Sequence, residues 1–319
     1  MDKVVLGRSG LEVGVAALGG GGKSRLGQKQ GHSRAHSVAL VQAAIDAGVT
    51  LIDTAAVYGT EGIIGEAIRG RRDGLVISTK TSINLHAHDD ATEMVDGAGL
   101  VARVEERLTA LGIDCIDILH LHALRLEQVD YTMAELAPAL IRLREAGKVR
   151  FFGLTERFVH DATHRMLLRA AQEDFWDVFM PGFNMVNQTA LAELLPATTA
   201  RGIGTLCMFA VRGPLGSLEG ANALISRLVE SGEVDPDGLD PANPLGFLLA
   251  PGVADSMAEA AYRFCRHTPG IDVVITGTGS PAHLAENLRT LNLPPLPEAV
   301  RARLAAIFGR VTSETCEPR

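Results

Sequence analysis

Four polar residues lie at, or shortly after, the ends of apolar runs, and their side chains are of types that can take part in proton transfer. Asp53 ends the run TLID and Tyr58 follows it by five residues, while Lys80 ends VISTK and His122 ends IDILHLH. A tyrosine has an unperturbed pKa of about 10, and a nearby ammonium group favours the phenolate and lowers that pKa. We therefore expect Tyr58 to donate and accept protons, with Lys80 as its neighbouring cation.

Asp53 and His122 have types that suit supporting roles. A buried ammonium group tends to lose its charge, and a carboxylate such as Asp53 would keep it charged and in place. His122 can donate to, or orient, the oxygen that Tyr58 protonates. This set supplies a proton donor and a polarising hydrogen bond, and it needs neither a nucleophile nor a metal. Reduction of a carbonyl by hydride has these requirements, because a cofactor delivers the hydride.

The segments that must position these side chains alternate between two patterns. Short runs rich in Val, Ile and Leu occur at 13–18, 50–53, 75–79, 116–122, 151–155, 178–183, 204–210 and 272–277. Segments with a period of about 3.6 residues lie between them, and many end at a glycine. Alternation of apolar strands with amphipathic helices predicts parallel strands, and this number of repeats predicts a closed (β/α)8 TIM barrel of the α/β class. In such a barrel, the carboxyl ends of the strands carry the site.

The domain organisation follows from what interrupts this alternation. We find no linker-like, low-complexity stretch, so residues 1–319 are predicted to form a single domain. The segment 217–252 is rich in Pro, Asp and Gly, and it is predicted to be a long loop between the seventh and eighth strands. Because loops of such length are usually functional, we expect it to supply part of the substrate pocket.

Composition narrows the class of protein. The chain is 46% hydrophobic and 21% charged, which is typical of a soluble globular protein. With a net charge of −8, scattered basic residues and only three Tyr and one Trp, nucleic acid is not an expected partner. The four cysteines form no CxxC pair, no apolar leader begins the chain, and no apolar stretch is long enough to span a membrane. We therefore expect a cytoplasmic protein without a membrane partner.

Five stretches resemble motifs of the aldo-keto reductase family. They are LGRSGLEVGVAALGGGG, LIDTAAVYGTEGIIGEAI, VEERLTALGIDCIDILHLH, LREAGKVRFFGLTE and VVITGTGSPAHLAENL, which follow the family's order from residue 6 to residue 288. The resemblance implies that Asp53, Tyr58, Lys80 and His122 are the family's catalytic tetrad. His122 is preferred to His120 because the family's histidine stands five residues after the aspartate that Asp117 represents. His120 faces the same way in a strand, and it is expected to be a hydrogen-bonded core residue one layer deeper.

The resemblance also implies NADP(H) as cofactor, with NAD possible, and a small carbonyl or alcohol as substrate. The residues matched to cofactor contacts are Thr155, Glu156, Met180, Met208, Phe209, Val211, Arg212, Gly277, Thr278, His283, Glu286 and Asn287. Glu156 replaces the family's carboxamide-binding Asn, and Met180 replaces the Gln that joins it. We expect Glu156 to accept from the carboxamide NH₂, with Thr155 as the donor to its carbonyl.

Two other departures concern the rest of the cofactor. Met208 stands where an aromatic residue often stacks on the nicotinamide. Gly277 and His283 replace the Lys and Arg that hold the 2′-phosphate in many members, and Arg212 is a candidate substitute. The preference for NADP therefore follows from the family rather than from these residues.

Several alternatives remain open at this stage. The Asp and Lys at the strand ends could form a structural ion pair, and Lys80 could form a Schiff base. The pairs His86/His88 and His120/His122 have a spacing that suits a metal ion, although no metal site is predicted. The basic residues Lys23, Arg25 and Arg212 could contact cofactor phosphates or an anionic substrate, or could be solvated. A cofactor-binding regulatory subunit with little turnover is the competing function, as in ion-channel β-subunits of this family.

The substrate, the direction of reaction and the oligomeric state are not indicated by the sequence. Ala123 and Leu124 follow His122, where the family often has Trp-Pro, so a common aromatic wall of the pocket is missing.

Overall fold

A closed barrel of parallel strands forms the centre of the protein. The computed structural model describes residues 1–85 and 93–316, and within these residues eight strands close in the order β10-β3-β4-β5-β6-β7-β8-β9. Every neighbouring pair in the barrel is parallel. The strands are β1 Lys3–Leu6, β2 Leu11–Gly14, β3 Ala16–Gly19, β4 Leu51–Asp53, β5 Val76–Thr81, β6 Ile116–Leu124, β7 Val149–Glu156, β8 Val178–Met180, β9 Gly204–Cys207 and β10 Val273–Thr276. The predicted (β/α)8 barrel is confirmed.

The first predicted strand, 13–18, is wrong in its bounds. Its first part belongs to β2, which pairs with β1 as an antiparallel hairpin, and the barrel strand β3 begins only at Ala16. The hairpin side chains Leu6, Leu11 and Val13 are buried in one cluster with residues near the amino ends of the barrel strands, such as Leu51. The apolar run is therefore divided, because its first half covers the amino-terminal end of the barrel.

Helices follow the barrel strands and cover their outer face. They are α1 Arg34–Asp46, α2 Glu61–Ala67, α3 Gly97–Leu111, α4 Val129–Tyr131, α5 Ala137–Glu145, α6 Arg165–Ala170, α7 Leu194–Arg201, α8 Leu218–Glu230, α9 Met257–Arg266, α10 Pro281–Leu291 and α11 Glu298–Phe308. Side-chain caps that the sequence supplies begin several of them. Ser33 accepts from the His36 N–H before α1, and Asp96 accepts from the Gly99 N–H before α3. A second apolar cluster between the strands and these helices forms most of the core.

The segment 217–252 is not the long loop that its composition predicts. It contains α8 and a 3-10 turn at Gly246–Leu249. The apolar side chains of α8, including Leu224 and Leu228, are buried. Packing of this face stabilises the helix, although the segment after it is rich in Pro and Gly.

Among the described residues, no helix is long and apolar enough to cross a membrane. That residues 1–319 form a single domain stays a prediction.

Candidate active site

The four residues singled out by the sequence meet in one cavity. Asp53 is the last residue of β4, Lys80 lies in β5 and His122 lies in β6, while Tyr58 ends a 3-10 turn, Ala56–Tyr58, directly after β4. All four line a cavity of about 720 Å³ at the carboxyl ends of the strands. The barrel thus brings together residues that are up to 69 positions apart in the chain.

The Lys80 ammonium group is held by two oxygen atoms. Its Nζ donates to Asp53 Oδ2 at 2.5 Å and to the Thr54 carbonyl at 2.8 Å. The Ser78 hydroxyl donates to the other oxygen of Asp53, Oδ1, at 2.8 Å, so the carboxylate itself is fixed. Burial opposes the charged form of Lys80, but Asp53, followed by Tyr58, outweighs it and raises the pKa of Lys80 above its ordinary value. The site therefore contains a permanent buried cation.

Tyr58 lies between this cation and His122. Lys80 Nζ is 5.2 Å from the centroid of the Tyr58 ring, and the ring centroids of Tyr58 and His122 are 5.9 Å apart with the planes at 89°. Burial and the charge of Lys80 lower the pKa of His122 to about 3. His122 is consequently a neutral imidazole near pH 7, able to donate one N–H to an oxygen without adding charge.

A glycine leaves room for the Tyr58 ring. A Cβ atom at Gly21 would lie 2.6 Å from Tyr58 Cε2, which is closer than such atoms approach in proteins. Gly21 follows β3, so the loop after the first barrel strand fixes how the phenol enters the cavity. Gly20 is also closely packed, since a Cβ atom there would lie 2.8 Å from Thr60 Oγ1, whereas Gly22 has a φ of 70°.

His122 stands at an irregularity in the sheet. The register between β6 and β7 shifts between Leu121 and Leu124, and Ala123 has φ 56°. The Ala123 N–H donates to Thr155 Oγ1 at 2.7 Å. This contact leaves the hydroxyl hydrogen of Thr155 for another acceptor, because a hydroxyl both accepts and donates.

His120 is fully buried in the barrel, as expected, next to Lys80 in the β5–β6 register and Gly153 in the β6–β7 register. A Cβ atom at Gly153 would lie 2.4 Å from His120 Nδ1, so the glycine makes room for the ring. Among the described residues, neither ring nitrogen has a partner with hydrogen-bond geometry, which differs from the expected hydrogen-bonded histidine. Burial, then the charge of Lys80, lowers the pKa of His120 well below its ordinary value, against a smaller opposing effect of the Leu154 backbone.

Glu156, at the end of β7, is engaged within the protein. Its Oε1 accepts from the Gly182 N–H at 2.7 Å, and His164 Nδ1 lies 2.9 Å from Oε1 and 3.0 Å from Oε2. The side chains of both Glu156 and His164 are 0% exposed. The carboxylate is therefore not available to a ligand in this arrangement, which corrects the expectation that it accepts from a carboxamide. The side chain is fully buried, and only the main chain of Glu156 borders the cavity.

An aromatic stack continues from this pair along the wall. Phe158 stacks on His164 at a centroid distance of 5.4 Å and on Phe209 at 6.2 Å. The guanidinium carbon of Arg212 is 4.7 Å from the Phe209 centroid. A Cβ atom at Gly182 would lie 2.3 Å from the Phe158 ring, so the stack depends on that glycine. His164 and Phe158 were not predicted as site residues, because neither belongs to a repeating pattern or motif that indicates the cavity.

Most residues matched to cofactor contacts lie in the same cavity. Its lining includes Thr155, Glu156, Met180, Met208, Phe209, Val211, Arg212, Gly277 and Thr278. His283, Glu286 and Asn287 lie on α10, outside this lining. His283 and Glu286 are exposed, whereas Asn287 Nδ2 donates to Thr276 Oγ1 at 2.8 Å and so supports the end of β10.

The loop after β3 reaches the turn after β10. Lys23, Ser24, Arg25 and Gln30 line the cavity together with Gly277–Gly279. His36 Nε2 is 2.8 Å from the Gly279 carbonyl oxygen, and a Cβ atom at Gly279 would lie 2.1 Å from Gln30 Oε1. This end of the cavity therefore combines bare backbone with basic side chains. Of the polar residues here, Ser24, Gln30 and His36 were not predicted.

Along the segment 217–252, no residue belongs to the central cavity, whose described lining stops at Gly213 and resumes at Tyr262. The helix α8 instead borders a second cavity of about 580 Å³ beside the C-terminal residues 313–316. The expectation that 217–252 supplies the substrate pocket is therefore not met in the described structure.

Within residues 1–85 and 93–316, no group of three His, Cys, Asp or Glu side chains could hold a metal ion. The pair His86/His88 lies outside the described residues.

Comparison with known proteins places these features in a family. A family model described as the aldo/keto reductase family matches residues 13–308. L-galactose dehydrogenase of Arabidopsis thaliana is 29% identical over 209 residues, which are 63% of this chain and 62% of that protein. D-threo-aldose 1-dehydrogenase of a Pseudomonas species is 31% identical over 191 residues, which are 52% of this chain and 56% of that protein. The aligned region thus spans less than two thirds of both relatives.

A solved structure resembles the whole barrel. It is an aldo/keto reductase from Klebsiella pneumoniae in complex with NADP and acetate, with a TM-score of 0.67 and 23% identity over 97% of this chain and 96% of that one. At this identity the likeness concerns the fold. Together with the family match over residues 13–308, it leads to one conclusion: the chain belongs to the aldo/keto reductase family.

Proposed function

We propose that the protein is an NADP(H)-dependent oxidoreductase, with NAD(H) as the alternative cofactor, that interconverts a small carbonyl compound and its alcohol by hydride transfer. Aldehydes, ketones and aldoses are the substrate classes. The observation that carries the proposal is the position of Lys80 Nζ, bonded to Asp53 at 2.5 Å and lying 5.2 Å from the centroid of the Tyr58 ring. The ammonium group thus supplies a positive charge beside the phenol, which can stabilise the negative charge that develops as the proton is transferred.

The four residues then have distinct roles. Tyr58 is the general acid that protonates the substrate oxygen during reduction, and its phenolate is the general base that removes the hydroxyl proton during oxidation. Lys80 stabilises the phenolate, and Asp53 keeps Lys80 charged and oriented. His122, a neutral donor, binds the same oxygen and orients it toward Tyr58. The carbonyl is polarised without a metal ion.

The residues of the cavity suit a nicotinamide dinucleotide, which supplies or accepts the hydride when bound. Thr155 retains a hydroxyl hydrogen for the carboxamide oxygen, next to His122 and Ala123. Gly277–Gly279 offer backbone without side chains at the other end, near the start of α10, where an anion is favoured. Lys23 and Arg25, on the facing loop, can pair with phosphates. The Klebsiella pneumoniae relative was crystallised with NADP, which supports this choice of cofactor.

A steady-state survey tests the proposal. Purified protein is assayed by nicotinamide absorbance with NADP(H) and NAD(H) against a panel of small aldehydes, ketones, alcohols and aldoses. Turnover in either direction supports an enzyme. Binding of a dinucleotide without turnover on any compound would favour the regulatory subunit, and absence of binding would refute both functions.

A further inference from the structure

The buried Glu156–His164 pair is not used by the proposed chemistry, although it lies directly behind the cavity wall. Glu156 follows Thr155, and Thr155 is bonded to Ala123, the neighbour of His122. A ring that exchanges hydride with a carbon held by His122 and Tyr58 must therefore lie near the end of β7. Glu156 is the next residue after Thr155 in β7, so its carboxylate lies close to the part of the cavity that Thr155 lines.

The hydrogen bonds of the pair indicate its charge. The Gly182 N–H donates to Glu156 Oε1, and His164 Nδ1 lies within hydrogen-bond distance of the same carboxylate. His164 Nε2 is buried, and among the described residues it has no partner. If Nδ1 carries the hydrogen, only a lone pair at Nε2 is unpaired. If His164 were protonated, or if Glu156 donated its proton to Nδ1, an N–H at Nε2 would be buried without an acceptor, which proteins tolerate less well.

The favoured arrangement is a carboxylate anion with a neutral imidazole. Burial raises the pKa of Glu156 above its ordinary value, and His164 and the Gly182 N–H offset only part of that effect. The other buried charges of the site, Lys80 and Asp53, compensate each other. Glu156 is therefore a negative charge next to the cavity that no buried cation of the described site neutralises.

Resting on the proposed function, we propose that Glu156 is a fixed negative charge that makes the protein bind the oxidised nicotinamide cofactor in preference to the reduced one. The oxidised ring carries a positive charge and the reduced ring does not, so the carboxylate attracts only the oxidised form. Members with a neutral Asn at this position lack that attraction. Because the carboxylate stabilises the oxidised form, it favours reduction of a carbonyl at the site: hydride with its two electrons passes from the reduced cofactor to the carbonyl carbon, and the Tyr58 hydroxyl gives its proton to the oxygen.

The test is equilibrium binding without substrate. Dissociation constants of NADP⁺ and NADPH, and of NAD⁺ and NADH, are measured by calorimetry for the wild type, for Glu156→Gln and for Glu61→Gln. Glutamine keeps an oxygen that accepts from Gly182. Glu61 is the matched control, because it is also a buried carboxylate, bonded to Thr79 at 2.7 Å, but it is not among the residues that line the cavity.

We expect the wild type to bind the oxidised form more tightly relative to the reduced form. In Glu156→Gln the ratio of the two constants should shift by about tenfold toward the reduced form, and in Glu61→Gln it should not change. An unchanged ratio in Glu156→Gln, or the same shift in the control, overturns the inference while leaving the proposed function intact. If Glu156→Gln does not fold, the wild type alone decides, since a preference for the reduced form contradicts the inference. Failure of all four dinucleotides to bind refutes the proposed function itself.

Discussion

Asp53 Oδ2 and Lys80 Nζ are 2.5 Å apart, and the two side chains are only 5% and 2% exposed. Removing two charges from water is costly, and their mutual attraction offsets that cost only while both are present. The pair therefore couples the stability of the barrel to the charge state of the site.

A double-mutant cycle tests this coupling. Asp53→Asn leaves the Lys80 ammonium group buried without a counter-charge, and it should lower the free energy of unfolding by about 3–5 kcal/mol. Asp53→Asn combined with Lys80→Met should cost less than Asp53→Asn alone, because no uncompensated charge remains. Urea denaturation at pH 7 measures all the variants. A double variant that is less stable than Asp53→Asn would contradict an ion pair in this position.

Tyr58→Phe tests the proposed proton donor. Loss of the hydroxyl should reduce kcat by about 10²- to 10⁴-fold, because general acid–base catalysis contributes that much, while cofactor affinity stays within about twofold. The matched control is Tyr131→Phe, whose hydroxyl donates to the Val95 carbonyl at 3.0 Å and is not part of the described cavity lining. Full activity of Tyr58→Phe in stopped-flow and steady-state assays would disprove the role.

Gly21→Ala tests whether close packing positions the phenol. The added methyl group would lie 2.6 Å from the Tyr58 ring and should displace it, reducing kcat by roughly tenfold or more. Gly216→Ala is the control, because no heavy atom of the described residues lies within 4 Å of a Cβ there and φ is not positive. Circular dichroism melting checks that both variants fold. Equal kcat in the two variants would show that Tyr58 does not depend on Gly21.

The pKa of His122, about 3, predicts how stability depends on pH. An ordinary histidine titrates near pH 6.5, so between about pH 6.5 and pH 3 the unfolded chain takes up a proton at this residue that the folded protein does not. Stability should fall as the pH drops through that range, by up to about 1.4 kcal/mol per pH unit from His122 alone. His122→Gln should lose that part of the slope.

Free energies of unfolding at pH 7, 5.5 and 4.5 measure this dependence. His160→Gln, which alters an exposed histidine, provides the comparison. Parallel curves for the wild type and His122→Gln would mean that His122 titrates normally in the folded protein.

Site residues could be predicted from the sequence where a local pattern, such as the end of an apolar run, indicates their positions. Asp53 and Lys80 end apolar runs, and the carboxyl ends of parallel strands meet at one face, so pattern and topology suffice to bring them together. No local pattern indicates the contact between Glu156 and His164. The two residues are joined by a loop, and His164 itself has a left-handed backbone conformation with φ 61°. The sequence placed Glu156 at the cavity but could not indicate that its carboxylate is turned into the protein.

The fold was predicted except in the two segments 13–18 and 217–252, where tertiary packing decides the secondary structure. Residues 13–18 are uniformly apolar apart from Gly14, and local pattern could not separate the hairpin strand β2 from the barrel strand β3. In 217–252, the many turn residues after α8 led to the prediction of a loop, although the apolar face of α8 is buried against other parts of the chain. Both errors arise because burial by distant parts of the chain overrides the local composition.

The hairpin β1–β2 has a consequence for how the protein can change. Leu6 and Val13 are buried at the amino-terminal end of the barrel, whereas the cavity that Tyr58 lines lies at the carboxyl ends of the strands. The loops around the cavity carry residues that can contact a ligand, whereas the packed hairpin at the opposite end contributes to folding. Substrate specificity can therefore be altered by exchanging the loops around the cavity, while the β1–β2 hairpin at the opposite end of the barrel is left unchanged.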